Sequence, residues 1–201
     1  MPSDRQILTR RAVLGGLLLA AALAASSRTA AAAPATAGLY LHPSPIPLPP
    51  LDMRDGDGKP VGLEPLHGQA ILLNLWASWC APCVAELPAL DRMKPLLARN
   101  RLAVVALALD RGGAATARAT FARLGIQSLD IRTGDPRSLT EMLGARVLPI
   151  TLLIDRRGDE IGRVIGAVDW EGPGAARLLA ALAEGRPLTA DMAPTIAGAR
   201  R

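Results

Sequence analysis

The chain contains two cysteines, Cys80 and Cys83, which lie in the order Cys-Ala-Pro-Cys. Two thiols at this spacing can carry two electrons as a dithiol or release them by forming a disulfide. A nearly unbroken apolar run, residues 70–76, precedes them, and apolar residues recur with helical period from Cys83 to Leu97. The pair is therefore predicted to lie where a buried strand ends and a helix begins.

The start of a helix would activate one of these thiols. Its first turn presents unpaired N–H groups and the positive end of the helix dipole, and both favour a thiolate over a thiol. A cysteine at such a position has a pKa of roughly 3.5 to 7.5 instead of about 8.5. Pro82 fits a first helical turn, where a missing N–H costs nothing. We predict that Cys80 is the nucleophile and Cys83 the resolving thiol.

Three other uses of the cysteine pair compete with redox chemistry. A structural disulfide would close a very short loop, which stabilises a fold by only about 2 kcal/mol. A zinc site needs four ligands, and the chain adds only His42 and His67, neither at a metal-site spacing. We therefore predict no metal site in this chain and interpret His42 as a solvated linker residue and His67 as a loop residue. Two thiolates suit copper(I), so a non-catalytic copper(I) carrier stays open as an alternative.

The run ILLNLWASWCAPCVAELPAL at 71–90 resembles the active-site segment of the thioredoxin superfamily, and specifically of the exported TlpA-like and ResA-like thiol-disulfide oxidoreductases. The W-C-x-P-C core with the trailing E-L-P carries this resemblance, which extends over residues 48–184. It implies an α/β thioredoxin-like fold: a central mixed β-sheet flanked by helices, with an N-terminal β-hairpin and an inserted helix and strand. It also implies exchange of electrons with protein disulfides through a redox-active Cys80–Cys83 disulfide, without any other cofactor.

One polar residue, Glu86, is the candidate for managing protons at the pair. In thioredoxins the position that matches Asn74 resembles a buried aspartate, and that carboxylate is absent here. Glu86 follows Cys83 by three residues, so a helix brings it to the same side as the pair, and TlpA-like and ResA-like proteins have a glutamate at this position. Burial there would raise its pKa toward that of a working acid or base. The alternative is a solvated glutamate near a helix start.

The resemblance also implies a substrate groove beside the pair. Pro149 resembles the cis-proline that thioredoxin-like folds set opposite the C-x-x-C, and in the family the residue before it, here Leu148, offers its backbone to an extended substrate. Ile150 departs from the usual threonine. Trp79 is predicted to pack over the pair, with ordinary core packing as the alternative. The predicted substrate-binding residues are Trp79, Ala81, Pro82, Leu148 and Pro149.

The remaining elements follow from apolar patterns and turn signals. Asp-Gly-Asp-Gly-Lys at 55–59 predicts a hairpin turn, and Pro88 and Pro95 are expected to bend or end the helix after the cysteines. Further strands are predicted at 101–110, 128–131, 151–155 and 161–168, and further helices at 112–124, 138–143 and 174–182. This order of elements is typical of an α/β layered fold.

Both ends of the chain are predicted to lie outside the folded domain, residues 49–186. Residues 1–33 combine a basic start with a 14-residue apolar run, as in an export signal, and Arg10-Arg11 resembles a twin-arginine signal. An ordinary secretory signal or an uncleaved membrane anchor is the alternative. Residues 34–48 are interpreted as a Pro-rich linker, and residues 187–201 as a disordered tail.

The net charge of the chain and its predicted compartment limit the classes of partner that it can have. The formal charge of +5 comes mostly from residues 1–33, so the rest of the chain is nearly neutral and gives no nucleic-acid footprint. Export would place the pair in the periplasm, where it rests as a disulfide. A membrane-embedded electron donor would then reduce the pair again. The expected substrates are proteins that contain disulfides, and the chain itself is expected to be a monomer.

We predict that the chain is a reductase of protein disulfides, although motif spacing does not fix a reduction potential and the direction of electron flow therefore stays open. Alternatives that use the same residues are a reductase dedicated to cytochrome c maturation and a thiol oxidase that donates its disulfide. A peroxiredoxin is a different class of enzyme, typically with a lone cysteine in a Pro/Thr-rich loop rather than a W-C-x-x-C pair.

Overall fold

The computed structural model of this chain describes residues 38–195, so the predicted export signal lies outside the described residues. The strands are β1 Gly38–Pro47, β2 Met53–Asp55, β3 Pro60–Val61, β4 Ala70–Trp76, β5 Leu102–Ala108, β6 Arg132–Gly134, β7 Ile150–Ile154 and β8 Asp159–Ile165. The helices are α1 Ala81–Ala98, α2 Gly113–Leu124, α3 Pro136–Met142 and α4 Pro173–Glu184, with short 3-10 turns at Glu64–Leu66 and Ala190–Met192. All eight strands form one mixed sheet in the order β1-β8-β7-β4-β5-β6-β2-β3.

Strand β4 lies at the centre of the sheet and leads directly to the cysteines. It pairs in parallel with β5 and antiparallel with β7, and every one of its residues is buried. Its side chains alternate between two apolar clusters, one built with α1, α2 and α4 and the other with α3. Strands buried on both faces have continuous apolar sequences, which is why this strand could be predicted from sequence.

The hairpin predicted at 55–59 joins β2 and β3, and Asp55 shapes its turn. The Asp55 carboxylate accepts the backbone N–H groups of Asp57 and Lys59 at 2.9 and 3.0 Å. The strand predicted at 128–131 is wrong, because β6 begins at Arg132. The carboxylate of Asp91 on α1 accepts the backbone N–H groups of residues 127–129. Those donors are therefore not available for pairing in the sheet.

The predicted linker at 34–48 is wrong over residues 38–47, which form β1 at one edge of the sheet. This strand pairs antiparallel with β8, with an irregularity between Leu41 and Ile46. Its prolines occupy alternate positions, 43, 45 and 47, and an edge strand tolerates prolines because one of its sides has no partner. His42 is also only partly solvated, because its side chain is half-buried and its Nε2 lies 2.9 Å from the buried Glu160 carboxylate.

The predicted tail at 187–201 is ordered at least through residue 195. Leu188 and Met192 pack against the apolar cluster that α4 builds, and the carbonyl of Thr195 accepts the Asp169 N–H at 2.9 Å. Residues 196–201 lie outside the described residues. Between residues 38 and 195, no helix has the length and apolar composition needed to cross a bilayer.

Candidate active site

The cysteine pair lies at the junction of β4 and α1, and Cys80 is the N-cap residue of that helix. The two residues form a disulfide with a Cα–Cα distance of 5.3 Å. The Sγ of Cys80 accepts the backbone N–H of Cys83 at 3.3 Å. A donor aimed at this sulfur from the first helical turn would stabilise negative charge there after reduction. Cys80 is 6% exposed and Cys83 is fully buried, so an approaching partner reaches Cys80 first.

The loop between β4 and Cys80 is fastened to the end of the neighbouring strand. Asp110, which follows β5, accepts the Ser78 hydroxyl at 2.7 Å and the Ser78 backbone N–H at 3.0 Å. Asp110 is 5% exposed, so these bonds are largely shielded from water. Parallel pairing of β4 and β5 brings their carboxyl ends together. The Asp110–Ser78 bonds therefore fix the loop that leads from β4 to Cys80.

Glu86 is buried on α1, one turn after Cys83, with 5% of its surface exposed. Its Oε1 accepts the side-chain Nδ2 of Asn74 at 2.7 Å. Its Oε2 accepts the Trp170 indole Nε1 at 3.2 Å and the Val168 backbone N–H at 3.3 Å. The alternative of a solvated glutamate therefore does not describe this side chain.

Burial has a large effect on the protonation of Glu86. Desolvation raises the pKa of its carboxyl from 4.5 to about 7, while the hydrogen bonds from Asn74, Val168 and Trp170 act in the opposite direction. A carboxyl with a pKa near the ambient pH can both accept and return a proton. Glu86 therefore has the chemical properties of a general acid or base, one helical turn after Cys83.

The predicted groove residues occupy two segments, one at the start of α1 and one directly before β7. The Leu148–Pro149 peptide is cis, and β7 begins directly after it, where Ile150 pairs with Leu75 of β4. Leu148 packs against the apolar cluster that contains both cysteines. Ala81 and Pro82 are exposed at the start of α1.

Trp79 differs from its predicted packing over the pair. Its side chain is 73% exposed, so little of the indole is covered by the described protein. Such a large apolar surface beside a reactive disulfide is available to a partner.

Several contributors to the site have only a weak signal in the sequence. Trp170 follows β8 by five residues, and its indole donates to Glu86 from across the fold. Thr151 on β7 accepts Asn74 Nδ2 at 3.0 Å, which fixes the amide that faces Glu86. A single amide in the apolar run 70–76 marks Asn74 as unusual, but nothing in the sequence pairs it with Trp170.

Comparison with known proteins agrees with this geometry. The sequence profile of the AhpC/TSA family matches residues 46–179. The thiol-disulfide oxidoreductase ResA of Bacillus thuringiensis (strain Al Hakam) is 27% identical over 112 residues, which cover 56% of this chain and 64% of the relative. The thiol:disulfide interchange protein DsbE of Pseudomonas fluorescens biotype C is 29% identical over 161 residues, 75% of this chain and 88% of the relative.

Solved structures share the fold. A candidate thiol:disulfide interchange protein DsbE from Chlorobium tepidum superposes with a TM-score of 0.58 at 26% identity, covering 69% of this chain and 96% of that one. The central mixed sheet with flanking helices is thus the thioredoxin-like fold that the motif implies. The match to the Bacillus ResA spans a little under two thirds of that relative's length.

Proposed function

The chain belongs to the AhpC/TSA family, and from that premise we propose that it is a TlpA/ResA-like thiol-disulfide oxidoreductase that reduces disulfides of other proteins outside the cytoplasm. One observation carries the proposal: a Cys80–Cys83 disulfide caps α1 with its more exposed sulfur facing a helical N–H donor. The names of its ResA and DsbE relatives support the reaction class. The basic and apolar pattern of residues 1–33 supports export to the periplasm.

The first step uses the reduced form of the pair. The Cys80 thiolate attacks one sulfur of a substrate disulfide, whose S–S bond breaks as a mixed disulfide forms with Cys80. The other substrate sulfur leaves as a thiolate and takes a proton from water. An extended substrate segment would lie along Leu148 and cis-Pro149, with Trp79 as an apolar contact and Ala81 and Pro82 at the edge of the groove.

The second step uses the buried groups. Cys83 transfers its proton to Glu86, and the resulting thiolate attacks the Cys80 sulfur of the mixed disulfide. The Cys80–Cys83 bond forms while the second substrate sulfur leaves, so two electrons pass from the pair to the substrate. No cofactor besides the disulfide takes part. A membrane-embedded dithiol donor would return two electrons to the pair for the next cycle.

Cysteine variants test this assignment. Cys83→Ser should accumulate mixed disulfides with partner proteins, because the resolving thiol is absent, and Cys80→Ser should accumulate none. Non-reducing gels followed by identification of the captured proteins measure both outcomes. Capture of cytochrome c precursors would assign the chain to cytochrome c maturation. Full turnover by Cys80→Ser would refute the proposal.

The reduction potential of the pair decides the direction of electron flow. A potential below about −220 mV is typical of reductants, whereas one above about −150 mV indicates an oxidant. Equilibration of the chain with a glutathione or dithiothreitol series gives this value. An oxidising potential would replace the reductase assignment with that of a thiol oxidase that uses the same residues.

A further inference from the structure

The carboxylate of Glu86 is surrounded by nitrogen donors that come from opposite sides. Asn74 approaches Oε1 from β4 at 2.7 Å. Trp170 approaches Oε2 at 3.2 Å from the segment between β8 and α4, and the Val168 backbone N–H reaches the same oxygen. We propose that Asn74 and Trp170 are positioning residues of the redox site, whose N–H groups stabilise the ionised form of the Glu86 carboxyl against the effect of burial.

The chemistry of these donors discriminates between the two states of Glu86. An indole N–H and a backbone N–H can only donate, and the Asn74 amide presents its nitrogen to the carboxylate. An ionised carboxylate accepts from all three, and hydrogen bonds to a charged acceptor are roughly twice as strong as neutral ones. A protonated carboxyl is itself a donor on one oxygen, so its O–H hydrogen would point toward an N–H hydrogen and one of these hydrogen bonds would be lost. Each N–H therefore opposes the protonation that burial favours.

Both side chains are fixed by the fold independently of Glu86. Asn74 is fully buried, and its Nδ2 also donates to the Thr151 hydroxyl on β7 at 3.0 Å. Trp170 is 1% exposed and packs in the apolar cluster that contains both cysteines. The donors are therefore in place before Glu86 ionises, and no reorganisation is needed when its charge appears.

The charged side chains next to Val168 and Trp170 in the sequence are exposed and have other partners than Glu86. Asp169, between Val168 and Trp170, is exposed and accepts the Glu171 N–H, while Glu171 pairs with Arg92 of α1 at the surface. Neither β4 nor β7 brings an ionisable side chain to Glu86, since their contributions are Asn74 and, through it, Thr151. On α1 the neighbouring titratable group is Cys83, one turn earlier, and it titrates only in the reduced protein.

The inference rests on the proposed role of Glu86 as proton acceptor, but it is tested without turnover. In the oxidised protein the cysteines do not titrate, so the carboxyl ¹³C resonance of Glu86 can be followed by NMR as pH rises. We expect the indole N–H resonance of Trp170 to shift with the same midpoint, because that group donates to the titrating carboxylate. An indole resonance that does not move with pH would overturn the inference, even if no variant folds.

Variants measure the contribution of each donor. Trp170→Phe keeps an aromatic ring and removes the indole N–H, so the Glu86 midpoint should rise by about one pH unit, a tenfold increase in proton affinity. Asn74→Leu should shift the midpoint in the same direction. Trp76→Phe is the matched control, because that indole is equally buried and its Nε1 has no hydrogen-bond partner within residues 38–195; the Glu86 midpoint should stay in place in this variant. An unchanged midpoint in Trp170→Phe and Asn74→Leu would overturn the inference.

A parallel measurement separates the two proposals. If Glu86→Gln reduces substrate disulfides at the full rate, the proposed proton role of Glu86 fails, whatever the titrations show. If Glu86→Gln is slow but the donor variants leave the midpoint unchanged, the proposed function stands and the positioning role of Asn74 and Trp170 fails.

Discussion

Replacing Glu86 by glutamine should change how the stability of the oxidised protein depends on pH. Burial raises the pKa of this carboxyl from 4.5 to about 7 in the folded chain, whereas the unfolded chain keeps the ordinary value. Between those two pH values the folded protein retains a proton that the unfolded chain has released. Unfolding then releases a proton, so the free energy of unfolding falls as pH rises. Glutamine does not titrate, and the variant lacks this contribution.

The size of the effect follows from the shift. Each pKa unit corresponds to about 1.4 kcal/mol, so the shift from 4.5 to about 7 amounts to about 3 kcal/mol. The wild-type chain should lose about this much relative to Glu86→Gln between about pH 4 and about pH 8. The loss begins near the unfolded value and is complete above the folded one. Any constant difference between glutamate and glutamine hydrogen bonding leaves this slope unchanged.

Urea unfolding of both proteins across this pH range, with the disulfide intact, measures the difference. The intact disulfide removes the thiols from the titration, and subtraction cancels all other groups. Glu171→Gln is a suitable control, since the hydrogen bond from Arg92 lowers the pKa of this exposed carboxylate. A lowered pKa makes the free energy of unfolding of the wild type rise with pH relative to the variant, which is opposite to the change expected for Glu86→Gln. Parallel stability curves for wild type and Glu86→Gln would refute the reasoning.

Two further predictions concern buried charges away from the disulfide. Asp91→Ala leaves three backbone N–H groups without their acceptor and should destabilise the chain by about 3 kcal/mol in urea unfolding; a loss below about 0.5 kcal/mol would contradict this. Glu160→Ala removes the carboxylate that binds the guanidinium of Arg163 through both oxygens and leaves that cation only the Leu143 carbonyl, at a cost of about 3 kcal/mol. Glu171→Ala, which breaks the exposed pair with Arg92, should cost less than about 1 kcal/mol. Equal losses at the two glutamates would show that burial of the pair does not matter.

The central part of the fold could be predicted because its signals are local. The apolar run of β4, the helical period after Cys83 and the turn signal at 55–59 each specify an element without reference to distant residues. Helix α1 continues through Pro88 and Pro95 to Ala98. Its interior prolines therefore neither end nor divide it, because packing of its apolar face outweighs local propensity.

The missed elements depend on partners far away in the chain. Strand β1 forms by pairing with the edge of β8, which lies about 120 residues later in the chain. The prolines of this segment, taken alone, indicate a linker instead of a strand. Asp91 accepts the N–H groups of residues just before β6, which are thereby unavailable for pairing in the sheet. Trp170 reaches Glu86 from a separation of 84 residues. Register and side-chain reach of this kind have no local sequence signature.

The contrast among the buried carboxylates identifies the one suited to proton transfer. Asp91 receives backbone N–H bonds as short as 2.6 Å, and Glu160 faces a guanidinium, so the bonds of each carboxylate hold parts of the fold together. Glu86 receives one short bond from a neutral amide and two longer ones from neutral N–H groups. Partial compensation leaves its charged and neutral forms close in free energy, which general acid–base chemistry requires. The carboxyl that can change its charge thus lies one helical turn after Cys83, in surroundings that are otherwise apolar.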